Sequence, residues 1–222
     1  MTSNAAIGRK SIGVVGAHLA RIADEGSATH PHAVALASAS SPGSTRDLAD
    51  AVHLLCAVHG KFPGLADIAC TIPGASPREW LRMAADALER ERLFLVRLTS
   101  AVGPIPSTPG AAATESALVA QRRAIETLAR SERNGCALGA TTALIQDWRQ
   151  IRAILDRAAE RSGMECPPSA LPDNASVAEA IANGTEGPAS ERALAFGAEQ
   201  LLLQHRALFD LLEARAGARE DF

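Results

Sequence analysis

Tyrosine is absent from this 222-residue chain, and Phe and Trp number only five and two. Sheet proteins draw on aromatic and β-branched residues, so this scarcity argues against a sandwich, a barrel or a Rossmann sheet. It also excludes tyrosyl-radical and phenol-acid chemistry. Four cysteines, Cys56, Cys70, Cys136 and Cys166, lie far apart with no CxxC pair, which argues for reduced thiols in a cytoplasm rather than a structural zinc or a disulfide framework. Lysine is nearly missing, two against 20 arginines, and the net charge is −3 with a pI near 6.1. Nothing global therefore draws the chain to nucleic acid or to an anionic membrane. No apolar run reaches the roughly 18 residues of a membrane span, and the N-terminal stretch shows no signal-peptide cleavage site.

What is abundant is alanine, 46 residues, and leucine, 24. Nearly a third of the chain is thus two strong helix formers. At 47% hydrophobic and 21% charged the chain has enough apolar surface to fold rather than remain disordered. The pattern predicts an all-α bundle of five or six main helices, mostly antiparallel, in one domain spanning 1–222 with flexible residues 1–6. Helices are expected at 7–25, at 46–59 behind Thr45 as cap, and from 77 to about 102. The last of these follows Ser76-Pro77-Arg78-Glu79, a capping serine, a proline at the first helical position and a glutamate three residues after the cap. Further helices are expected at about 113–133, 136–162 and 190–216, with a turn near 65–70. A long loop near 163–189 carries a short helix at 175–182. A break at Asn134-Gly135 is required, because an unbroken helix from 113 to 162 would be some 75 Å long.

Most chemical motifs fail on inspection. IGVVGAHLA at 12–20 has two glycines of a dinucleotide loop but neither the third glycine nor a preceding strand; its glycines read as close-packing positions on a helix. GxxxxGK[ST], HExxH, GxSxG and the ExxH pairs of ferritin-like di-iron bundles are absent. Asp50 and His53 read as a solvated pair. His30-Pro31-His32 is the one local metal-like cluster, two imidazoles able to reach a single divalent ion. Arg122, Arg123, Arg130 and Arg133 share a face with Glu115 and Glu126 and read as ion-paired in solvent.

Helical phase is more informative. Glu91 falls among Trp80, Ala84, Ala87, Leu88, Phe94, Leu95 and Leu98. His205 lies in the stripe Leu194, Ala198, Leu201, Leu208, Leu212. Gln121 and Glu132 fall among Leu118, Ile125 and Leu128, Asp147 borders Ala140, Ala143, Ile151 and Ile154, and His59 sits beside Leu48, Val52 and Leu55 with an escape to water at its helix end. Buried ionised groups are costly unless paired, hydrogen-bonded or metal-bound. Depth along antiparallel neighbours matches Glu91 with Gln121, and Asp147 with His205, each of the latter about 22 Å from a shared end. Glu91 and Glu132, about 12 Å apart in depth, do not share an ion.

Two functions follow. One is a non-catalytic protein that binds a partner protein or a small ligand, its polar pairs Asp147–His205 and Glu91–Gln121 serving packing. The other is a metal-dependent enzyme or carrier with a carboxylate–histidine site in the bundle core, ferritin-like in style, whose divalent metal is held by His205 and Asp147, or at His30 and His32. Cytoplasmic placement is expected, without nucleic acid or membrane as partner; a homo-oligomer is left open.

Overall fold

In a computed structural model, residues 2–41, 43–72, 74 and 76–220 are described, and among them there is no strand. The helices are α1 (Thr2–Glu25), α2 (Pro31–Ala37), α3 (Ser44–His59), α4 (Leu65–Ala69), α5 (Arg78–Ala101), α6 (Ala111–Ala129), α7 (Cys136–Ser162), α8 (Asn174–Gly184) and α9 (Pro188–Glu220), with a 3-10 turn at Ser27–Thr29 between α1 and α2. The all-α expectation holds. None of these helices is long and apolar enough to cross a membrane.

The expected break at Gly135 is present, but as the N-cap of α7, where a φ of 96° suits glycine, because α6 ends four residues earlier than expected, at Ala129; α7 closes on Gly163 at 71°. Other expectations shift. α1 is drawn from Thr2 rather than residue 7, and Met1 lies outside the described residues. The His30-Pro31-His32 segment starts α2 instead of breaking the chain, because the His30 side chain accepts from the His32 N–H and Pro31 occupies the first turn. Pro77, not Ser76, is the N-cap of α5, and no side chain caps it. Gly13 and Gly16 are exposed, with nothing near enough to pack against a Cβ at either.

The centre of the molecule is α7 lying against α9, its most extensive partner. Alanine and glycine explain how closely they lie. A Cβ on Gly139 would stand 2.0 Å from the Leu194 carbonyl oxygen, and one on Gly197 would stand 2.0 Å from that of Cys136. The same contacts fix direction: Gly139 meets Leu194, and further along Asp147 meets His205, so α7 and α9 run parallel, joined by a crossover through α8. α3 runs against α9, pairing His59 with His205 at one end and Asp50 with Arg215 at the other. The core surrounding these contacts is aliphatic, with Phe94, Trp148 and Phe209 as its buried aromatics among the described residues.

Candidate functional site

Asp147 projects from the middle of α7 into the core, 3% exposed. Its Oδ1 accepts from the Ser27 backbone N–H at 2.6 Å, and its Oδ2 accepts from the Ser27 hydroxyl at 2.6 Å and from His205 Nδ1 at 2.6 Å. Gly26 makes this approach feasible, since a Cβ there would lie 2.6 Å from Asp147 Oδ1. His205 Nε2 in turn lies 3.1 Å from His59 Nε2, with the rings nearly perpendicular at 86°. Trp148 stands edge-on to His59, ring centres 5.2 Å apart. His59 Nδ1 has no protein partner among the described residues.

An ionised carboxylate only accepts, so His205 Nδ1 carries a hydrogen. One proton then lies between the two facing Nε2 atoms. Held by His59, it leaves His205 neutral and presents a bare Nδ1 lone pair at the open end of His59. Once a further proton enters at His59 Nδ1, the one between the rings can be held by His205, which makes that ring an imidazolium against Asp147 and leaves His59 neutral with its hydrogen on Nδ1. Burial acts on Asp147 to raise its pKa, but the hydrogen bond and charge of His205 and the two bonds from Ser27 outweigh it and leave the group below the ordinary carboxylate value. His59 is held well below the usual imidazole value, first by burial and then by the charge of His205; its ring is neutral at physiological pH.

His59 and Trp148 line a pocket of about 60 Å³ between the α3–α4 connector, α4, α5 and α6. Val58, Leu65, Ile68, Leu88, Ile125 and Leu144 form its apolar walls, and Lys61, Arg92, Arg122, Asp67, Glu89 and Glu126 bring charge to it. This volume is well below the range typical for drug-sized ligands, so it admits the reacting end of a small molecule rather than a large body.

Behind Trp148 lies a second polar group. Trp148 Nε1 donates to Glu91 Oε2 at 3.2 Å, Arg152 NH1 bridges both Glu91 oxygens at 2.9 and 3.0 Å, and the Ser169 hydroxyl donates to Oε1 at 2.9 Å. Arg152 also stacks over Phe94 and bonds to the Pro167 carbonyl and Asp156. Glu91 is therefore fully occupied, and it ties the segment 163–173 to the core.

The pairing of Asp147 with His205 is present; that of Glu91 with Gln121 is not. α5 and α6 scarcely touch, because α3 and α4 lie between them, and Gln121 Oε1 is buried without a partner. Glu132 lies beyond the end of α6 and is exposed. Asp50, expected in solvent, is 0% exposed and bound by Arg215 and Arg219, while His53 faces the Gly103 carbonyl at 2.7 Å. None of Arg122, Arg123, Arg130 and Arg133 pairs with Glu115 or Glu126 among the described residues.

The proposed metal positions fare differently from the pairs. Asp147 and His205 have every donor and acceptor directed at Ser27, at each other or at His59, so no lone pair converges on an ion. His30 meets Asp210 and Glu213, and His32 is not part of that group. His30 Nδ1 accepts from the His32 N–H, which leaves the hydrogen on Nε2, where it donates to Asp210 Oδ1 at 3.0 Å. A metal on Nε2 would require reversing that tautomer and breaking the α2 cap. Ser27, Trp148 and Arg152 were not anticipated. Arg152 was detectable, since it lies four residues after Trp148 on the face of Ile151 and Leu155 and supplies the counter-charge Glu91 needs.

The profile of DUF6975, a family of unknown function, matches residues 22–220. The chain belongs to this family. Ser27, His59, Glu91, Asp147, Trp148, Arg152 and His205 all lie inside the matched span. No curated protein and no solved structure matches the chain.

Proposed function

We propose that this DUF6975 protein binds a small molecule in the pocket over His59 and exchanges a proton with it through His59, His205 and Asp147. The observation that carries the reading is His59 Nδ1, the one open nitrogen on an otherwise satisfied chain, in a residue that lines the pocket. Of the two occupants suggested by the sequence, a small ligand is the one that suits a pocket of this size.

The chain resolves a conflict in His59 itself. An imidazole whose pKa is held low by burial is a weak base if it must keep the charge. Here it need not. When Nδ1 takes a proton from the ligand, the Nε2 proton of His59 passes to His205 Nε2, and the positive charge forms on His205, where the Asp147 carboxylate faces Nδ1. His59 is neutral before and after; run backwards, the same step donates a proton from Nδ1. Ser27 holds the carboxylate in place with two bonds, and the perpendicular Trp148 and His205 rings fix the His59 plane. General acid–base chemistry on a bound small molecule is the reaction type this geometry serves.

A fragment screen by ligand-observed NMR tests the reading. Fragments bound by the wild type are expected to lose at least tenfold in affinity on His59→Ala, with the fold retained by circular dichroism. Hits that bind His59→Ala and Asp147→Asn as tightly as wild type, at every pH from 5 to 8, contradict it.

A further inference from the structure

The buried carboxylate of Glu91 divides its oxygens in a way that anchoring a loop does not require. Residues 165–169 form an exposed run, and α7 fastens their segment without any help from α5: Arg149 NH2 donates to the Pro172 carbonyl at 2.8 Å, and Arg152 NH2 donates to that of Pro167. Glu91 adds the Ser169 hydroxyl on Oε1 at 2.9 Å, but its Oε2 accepts from Trp148 Nε1 at 3.2 Å, a donor outside the segment. An indole has this one donor. The bond therefore fixes how the Trp148 ring is turned in its site, and that ring meets His59 edge-on at 5.2 Å and 83°.

His59 needs such a support. It is the last residue of α3, with Gly60 as C-cap, so no further helical turn holds it, and its ring is set between the rings of Trp148 and His205. The 3.1 Å contact between the two Nε2 atoms is the link through which a proton passes. Turning the His59 ring weakens that link and shifts the neutral imidazole toward the tautomer with its hydrogen on Nδ1. Glu91 has no direct electrical hold on His59: its charge is met by Arg152, and the His59 pKa is lowered by burial and by His205. We propose that Glu91 is a positioning residue for His59, acting through Trp148, and that the seating of Ser169 is thereby felt at the pocket. This rests on the relay described above and adds to it the group that orients its outlet. Asp147 and Trp148, neighbours on α7, then serve one histidine by two routes, the first through His205 and the second through the plane of the ring.

The test is a mutant cycle on the ligand-free, isotope-labelled protein, read from the ring nitrogens of His59, whose signals follow the tautomer far more than the ring current of a displaced indole. Glu91→Gln keeps the size of the side chain, and Arg152 keeps Asp156 and the Pro167 carbonyl. This variant is expected to retain its helical circular dichroism while both the Trp148 indole N–H signal and the His59 tautomer balance move. Ser169→Ala, on the exposed segment, should move both in the same direction and by less, and it carries the test if Glu91→Gln does not fold. In Trp148→Phe, which lacks the indole donor, neither substitution should change His59 further. A His59 tautomer balance unchanged in the folded variants overturns the proposal, and so does a change of equal size in the Trp148→Phe background. The two readings separate cleanly. A His59 that follows Glu91, in a protein whose pocket fragments bind without regard to His59, upholds the positioning and contradicts proton exchange; fragments that depend on His59, in a protein whose His59 ignores Glu91, do the opposite.

Discussion

Two buried aspartates meet basic side chains of α9 ten residues apart, and their surroundings differ in one respect. Asp50 is bound by Arg215 through Nε and NH2 and by Arg219 through NH1, and the arginines extend to Asp47, Thr108 and Thr114. This cluster closes on itself, apart from Arg219 Nε, and it clamps α3, α9 and the connector before α6 together. Asp147 is held as firmly by Ser27 and His205, but its chain continues through His59 to a pocket. The first arrangement places permanently charged guanidinium groups where no proton can move. The second places imidazoles, each with two ring nitrogens that can exchange a proton, in line from the core to the pocket.

The largest effect should come from breaking the closed cluster. Asp50→Ala leaves two arginines without their buried counter-charge and is expected to cost about 3–5 kcal/mol in chemical denaturation, while any ligand affinity of the folded fraction stays unchanged. A second effect comes from acid. His18 is buried against Thr142 with Nε2 donating to the hydroxyl and Nδ1 unpartnered. Burial, with a smaller contribution from Arg21, lowers its pKa to about 4. The unfolded chain takes up this proton near pH 6.5 and the folded chain does not until about 4, so stability falls as the pH drops across that window, by roughly 3 kcal/mol for His18. His59 acts in the same direction. A denaturation series from pH 7 to 4 should show the decline, and His18→Gln should make it shallower.

The open chain should respond less in stability and more in protonation. Asp147→Asn keeps the size of the side chain but loses the charge facing His205, and about 1–3 kcal/mol is expected. Its distinguishing outcome is a change in the His59 tautomer, although Asp147 does not touch His59. Smallest of all, His59→Gln should cost about 1 kcal/mol, measured by thermal melting, and abolish proton exchange with ligand.

The helices were legible because alanine, leucine and the glycine punctuation act locally: α7 is bounded by Gly135 and Gly163 as its sequence indicates. Burial of Glu91, Gln121, Asp147 and His205 followed from helical phase alone. Pairing did not, because it depends on which helices are neighbours. Asp147 and His205 were matched by assuming antiparallel helices, whereas α7 and α9 are parallel; both residues lie near mid-helix, so reversing one helix leaves their depths nearly matched. Glu91 enjoyed no such symmetry, and the insertion of α3 and α4 between α5 and α6 sent it to Arg152 and Trp148 instead of Gln121. Ser27 was beyond reach, since only the tertiary position of the turn after α1 brings its amide and hydroxyl to Asp147. His59 was visible on its helix face, but its role depends on a second histidine 146 residues away.

The central claim is that one proton is shared along His59 and His205 under the control of Asp147, with His59 as the outlet. Long-range proton–nitrogen correlation spectra of the histidine rings, in wild type and in Asp147→Asn, test it most directly. A neutral His59 whose tautomer balance changes on Asp147→Asn, and whose Nδ1 signal moves when a pocket ligand is added, is the result predicted. A His59 tautomer indifferent to Asp147→Asn, or an Nδ1 signal untouched by a ligand that occupies the pocket, would contradict it.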